Sequence, residues 1–255
     1  MARSKDEESQ RVRMTGDLTN RTGLLSHADA DAMREAARAF TPVGTEEENR
    51  SFRARLLGES DPVGTIPRPP SFSGAAKQAV AAVTGAQPLV LLDKLAERLA
   101  FERSGTRLYE TLLLKLQQEG GFDGGPSPEE LAAIRRDELE HFQTLAEFIE
   151  ELGGDPTAVT PSADVGAVAS MGVVQLVCDP RVSFGESLEA ILIAELVDHE
   201  CWHTLRELAR ESGNERLEQF AERAEDAEDR HLEQVRGWVQ ARTLGEPQRQ
   251  PTAGG

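Results

Sequence analysis

The sequence predicts an all-α protein: a bundle of four long helices with one long crossover between the second and the third. Ala, Leu, Glu and Arg dominate its long stretches, and no segment alternates apolar and polar residues in the manner of a strand. Apolar residues recur at helical spacing over four segments. Glycine-rich breaks at Gly120-Gly121, at Gly153-Gly154-Asp155-Pro156 and at Gly213 separate those segments.

In chain order, residues 1–72 form a polar, partly disordered extension with two short helices, one after Ser26 and one after Thr45, each opening at a good N-cap. The Pro- and Gly-rich stretch DPVGTIPRPPSFSG reads as an extended linker. The main domain spans residues 73–243 and begins with a short apolar helix, AAKQAVAAV. Its first long helix runs from about Pro88 to Glu119. The second opens at Ser127, with Pro128 next and Glu130 three residues on, and stops at Gly153. Residues 157–184 include an apolar segment, VGAVASMGVVQLV, long enough to return the chain along the bundle. The third long helix spans about Ser187 to Glu211, the fourth about Asn214 to Arg242, and residues 244–255 read as a disordered tail.

Charge narrows the function. With 45 acidic against 28 basic residues the net charge is −17, which repels phosphate backbones and leaves no basic stripe for nucleic acid. The sequence shows no run of about 18 apolar residues and no apolar leader in MARSKDEESQRVR, so the expectation is a soluble, cytoplasmic protein without a membrane partner. Cys178 and Cys201 form no CxxC and are expected to be free thiols.

At 100° per residue, Leu91, Leu95, Thr106, Tyr109, Leu113 and Leu116 fall within about 40° of Glu102 on the first helix. Leu131, Ile134, Phe142, Leu145 and Ile149 surround Glu138 on the second in the same way, and His141 shares that face. Leu188, Ile191 and Trp202 flank Glu195; Leu217, Ala221, Ala224, Leu232, Val235 and Val239 surround Glu228 and His231. Four glutamates and two histidines thus point into one core. Buried unpaired carboxylates cost several kcal/mol each, so converging acids require cations, and two divalent metals supply four positive charges. Carboxylate oxygens with one imidazole per metal suit Fe or Mn and admit Zn, whereas Ca and Mg rarely take histidine. Glu and His at i and i+3 lie about 5–6 Å apart on a helix and can serve one ion from a rigid element.

An internal repeat accompanies this pattern. A constant offset pairs Leu95 with Leu188, Leu99 with Leu192, Glu102 with Glu195, Tyr109 with Trp202 and Leu112 with Leu205. A second offset pairs Glu138 with Glu228, His141 with His231, Phe142 with Leu232, Leu145 with Val235 and Phe148 with Trp238. Each half reads Glu, then Glu-x-x-His.

On these residues the chain, over about 88 to 242, resembles the ferritin-like di-metal carboxylate superfamily, which includes ferritins, rubrerythrins and manganese catalases. The stretch LAFERSGTRLYETLLLKL is similar to the first helix of uncharacterised bacterial ferritin-like proteins. The resemblance implies a ferritin-like four-helix bundle, bridging roles for Glu138 and Glu228, terminal roles for Glu102 and Glu195, and capping of each metal by His141 and His231. It further implies two Fe ions, or alternatively two Mn, an oxidase, ferroxidase or peroxide-consuming activity on O2 or H2O2 with an unknown reductant, and a homodimer. The chain departs from rubrerythrins in lacking a cysteine-rich module, and from minimal ferritins in its N-terminal extension and its extra segment between the second and third helices.

Other residues invite other roles. His199 lies about 40° from Glu195 and Asp198 about 60° off on the other flank, so each is a candidate outer partner of the metal ligands. Tyr109 is a candidate proton donor or a core aromatic with its hydroxyl satisfied, and Arg98 a candidate carboxylate partner or a snorkelling arginine. His199-Glu200-Cys201-Trp202-His203 spells the zinc-hydrolase motif HExxH, but that leaves the inward acids of the other helices unexplained, and Glu200 falls on the outer face. Two further alternatives are a non-catalytic iron store and an interaction module whose N-terminal extension docks a partner.

Overall fold

The computed structural model describes residues 27–40, 44–60 and 88–245. The chain divides into two units, 1–62 and 63–255. The first holds α1 (His27–Ala39) and α2 (Glu46–Glu59), the latter opened by a capping box between Thr45 and Glu48 and without a buried residue. The expected linker, the short helix AAKQAVAAV and most of the C-terminal tail lie outside the described residues.

The second unit comprises α3 (Pro88–Glu119), α4 (Pro128–Glu151), α5 (Pro161–Cys178), α6 (Phe184–Glu211) and α7 (Glu215–Gly245), and no strand occurs among the described residues. The expected box at Ser127 and Glu130 opens α4, and Gly153 ends the turn beyond it in the left-handed region at φ 81°. The start of α6 corrects the sequence expectation of Ser187. Ser183 caps the helix and Glu186 returns the bond to the cap, adding a turn that the Phe184-Gly185 pair had concealed.

Two apolar cores stack along the bundle. One contains Leu95, Leu99, Leu145, Phe148, Trp202, Leu205 and Phe220. The other contains Leu108, Leu112, Leu131, Ile134, Leu188, Ile191 and Val235. Each fully buried leucine or phenylalanine contributes about 1.5–3 kcal/mol. Every long helix passes from one core to the other through its glutamate: Glu102, Glu138, Glu195 and Glu228 lie in sequence between the two sets, all buried.

The crossover is the helix α5, pinned to α3 at both ends. At its start, the Ser162 backbone N–H and hydroxyl donate to the Asp93 carboxylate at 3.0 and 2.7 Å. At its end, Lys115 Nζ donates to the Asp179 and Val182 carbonyls at 3.1 and 2.5 Å and to Ser187 Oγ at 3.0 Å. Since Asp93 precedes Lys115, α5 runs parallel to α3 and delivers the chain to the start of α6. This helix also corrects the expectation about apolar length: Pro161–Cys178 has 18 residues of mean hydropathy 1.3, enough to cross a membrane by length and composition, with 17 % of it buried. Its packing on α3 and α6 ties it to the bundle.

Replacing Lys115 with Met leaves two carbonyls and a hydroxyl without their charged donor. Denaturant unfolding of the Lys115→Met variant should show a loss of about 2 kcal/mol, the value of a hydrogen-bonded charged group; unchanged stability would remove Lys115 as the clamp.

Candidate metal centre

The acids and histidines of the two Glu-x-x-His frames meet between the cores. Ligand-capable atoms of Glu102, His141 and Glu228 lie within 4.8 Å of one another, as do those of Glu138, Glu228 and His231. Glu228 belongs to both groups and holds a histidine on each side: His141 Nδ1 is 3.2 Å from Oε1 and His231 Nδ1 is 3.0 Å from Oε2. A third group joins Asp198 to Glu102, Glu138 and Glu228. Glu195 enters none of these groups, although it is buried beside them.

Two aromatic donors orient the outer acids. The Trp202 indole N–H donates to Glu102 Oε1 at 2.9 Å, and the Tyr109 hydroxyl donates to Glu195 Oε1 at 2.5 Å. The second oxygens, Glu102 Oε2 and Glu195 Oε2, are buried without a well-formed hydrogen bond, as are Glu228 Oε1 and His141 Nδ1, although His141 Nδ1 lies 3.2 Å from Glu228 Oε1 and 3.4 Å from Glu102 Oε2. Buried polar atoms left unpartnered cost about 1–3 kcal/mol each, so four at one locus mark a place built for something else. Hard oxygens and imidazole nitrogens at such spacing fit a pair of divalent cations, with Glu228 between them. His231 is set for this by Asp137, whose carboxylate takes Nε2 at 3.1 Å and leaves Nδ1 facing the cluster.

Gly105 is a further requirement. A Cβ there would collide with the Glu138 carboxylate, so α3 presents bare backbone where α4 brings its acid. Neither Asp137, Gly105 nor the donor role of Trp202 was visible in the sequence pattern. A glycine inside a long helix, three residues after the inward acid, was the available signal for Gly105.

Arg98 and Asp198, expected to lie near the site, form a buried ion pair with each other, and Arg98 Nη1 also lies 3.8 Å from Glu102 Oε1. The partner of Asp198 is therefore an arginine. His199 sits apart, its Nε2 3.0 Å from Asp229, while His203 meets Glu225 at 3.0 Å. The two histidines of the HExxH stretch thus engage different acids of α7, and neither enters a metal-capable group among the described residues. Glu200 is exposed, as its helical angle required. Cys178 and Cys201 are free thiols.

Protons balance the cluster when cations do not. Burial, reinforced by Glu102, Glu228 and Glu195, pushes Glu138 well above the carboxylate range. Burial and Glu228 push Glu195 up to about 8. Burial opposes charge on the histidines too, but the acids beside them prevail: Glu102 and Glu228 raise His141 to about 9, and Asp137 and Glu228 raise His231 to about 10. Burial would raise Glu228, yet both histidines outweigh it and lower it to about 2. Burial, with the Glu195 charge, likewise pushes the Tyr109 phenol well above 10.0, so it stays a donor.

Residues 129–243 match the family model for a ferritin-like domain. No curated protein and no solved structure matches the chain.

Two outcomes follow from this geometry. Gly105→Ala should improve helix propensity by about 1 kcal/mol yet displace Glu138, weakening metal binding roughly 10–100-fold in equilibrium dialysis; undiminished binding would show that the cradle is not needed. In the chelator-treated protein, Glu195, raised from 4.5 to about 8, stabilises the fold fully below pH 4.5 and loses that contribution as pH rises through 8. The histidines, raised from 6.5 to about 9 and about 10, lose theirs as pH rises through those values. Glu228, lowered from 4.5 to about 2, contributes above pH 4.5 and fails only as pH falls through 2. The thermal midpoint should therefore fall from about pH 5 to pH 10 without metal, and metal should offset the fall because its ligands bind deprotonated. A midpoint that rises over this range without metal would contradict the proton balance.

Proposed function

We propose that this chain, a member of the ferritin-like superfamily by its domain match, is a di-iron carboxylate oxidoreductase that reduces O2 or H2O2 in iron handling or oxidative-stress defence. The observation that carries the proposal is the sharing of Glu228 by two histidine-carboxylate groups, which suits two ions and not one. A pair of redox-active ions held there would supply two electrons for the reduction of O2 or peroxide, replenished by an external reductant.

Glu102, His141 and Glu228 would hold one ion; Glu138, Glu228 and His231 would hold the other, with Glu195 near enough to swing its unpartnered oxygen inward. Tyr109 and Trp202 fix one oxygen of each outer acid and leave the other to coordinate. The Tyr109 hydroxyl is also a proton source at Glu195 Oε1. Leucine-rich cores on both sides limit water and keep reactive species from the surface. Dimanganese loading is compatible with the same donors and would favour peroxide chemistry. The reductant is an external one, and the proposal extends to a cytoplasmic homodimer, for which the exposed Val168, Met171 and Leu196 offer apolar contact.

Elemental analysis and O2 or H2O2 consumption, measured on wild type and on a Glu138→Ala, Glu228→Ala double variant, test this. The expected result is about two Fe or Mn per chain and oxidant consumption in wild type, both lost in the variant while helicity persists. Many irons per chain would favour storage, the second reading. One Zn retained by the variant would move attention to His199 and His203.

A further inference from the structure

A cavity of about 290 Å³ lies where the crossover helix α5 meets α3 and α6, close to the lower bound of roughly 300–1,000 Å³ for small-molecule pockets. Small residues keep it open: Ala100 and Ser104 from α3, Gly166 and Ser170 from α5, Ala194 from α6. Most of its surface is apolar, and exposed Val165 and Ile193 are among its lining residues.

Arg98 lines this cavity and is 1 % exposed. Its Nη1 is taken by Asp198, and its face stacks over the Phe101 ring at 4.6 Å. Nε and Nη2 have no hydrogen-bond partner. Those two nitrogens form the guanidinium edge that grips a carboxylate with two parallel bonds. Arg181 uses the same edge in this protein, donating from Nε and Nη2 to Asp179 at 2.9 and 2.6 Å. Leaving such an edge buried and unpaired is costly, and the acceptors in the largely apolar lining, Glu97 and the hydroxyls of Ser104 and Ser170, do not reach it. Glu97, the acid in the lining, is held by Lys94 at 2.7 Å.

We infer that the cavity between α3, α5 and α6 binds an amphiphilic monocarboxylate, its head on the free edge of Arg98, which a side-chain shift must uncover because both nitrogens are fully buried, and its aliphatic tail between α5 and α6. The cavity adjoins the acid cluster through Arg98 and Asp198, but its ligand would need no metal. Tail burial supplies about 0.8 kcal/mol per methylene, while the charged head selects an acid over an alcohol.

Isothermal titration of octanoate and octan-1-ol into the metal-free full chain tests the inference. Octanoate should bind once per chain, saturably, with a Kd below about 1 mM, and octan-1-ol about tenfold or more weaker. Gly166→Leu and Ser170→Leu should each weaken octanoate by about tenfold or more by filling the chamber. At Gly166 an added Cβ meets only Glu97 atoms, at 3.6 and 3.7 Å, so the backbone accepts it. Absence of saturable octanoate binding, equal binding of the alcohol, or undiminished affinity in both filled variants would overturn the inference. The wild-type comparison of acid with alcohol decides the matter even where a variant fails to fold. Because no metal is present, failure here leaves the di-iron proposal untouched, and the reverse also holds.

Discussion

Four carboxylates share one buried cross-section of this bundle, and the remaining architecture answers that repulsion. Glu102, Glu138, Glu195 and Glu228 are each at most 3 % exposed, where an uncompensated charge carries a penalty of several kcal/mol. The two leucine-rich cores cannot stabilise such a layer; they only enclose it. Two histidines, two aromatic donors and a set of protons offset the charge. The site is therefore held by the fold at some expense to stability, a common sign that a cluster exists for chemistry.

The internal repeat gives the cluster an approximate twofold order. Tyr109 and Trp202 are repeat-equivalent, as are Glu102 and Glu195, and each aromatic reaches the glutamate of the opposite half. The order breaks where Asp198 stands in the place of Gly105. On one side bare backbone admits Glu138; on the other an acid turns to Arg98 and borders the cavity under the crossover. The two metal-capable groups that share Glu228 are thus set in unequal surroundings.

Much of this was legible in the sequence because helical periodicity places an inward acid directly. The Glu and Glu-x-x-His frames identified the six residues now found buried between the cores, and an N-cap at Thr45 and a capping box at Ser127 fixed two helix starts. What periodicity could not supply was distance between helices. Gly105 matters only because α4 comes close to α3, and Asp137 only because its carboxylate reaches the far side of His231 on α7. Trp202 was read as packing because an indole on an apolar stripe gives no sign of which acid its N–H will find. The third helix began a turn early because Gly185 masked its box, and α5 carried more apolar surface than the sequence expectation allowed.

The crosswise pairing of aromatics and acids bears on how the chain reaches its native state. A lone α3–α4 hairpin would contain Glu102 without Trp202, and a lone α6–α7 hairpin would contain Glu195 without Tyr109. Each would have to bury an acid whose donor lies on the other, so neither half gains by closing first. Docking of the two hairpins and formation of the acid layer should then be one cooperative event, with the crossover helix setting the rate at which the halves find each other.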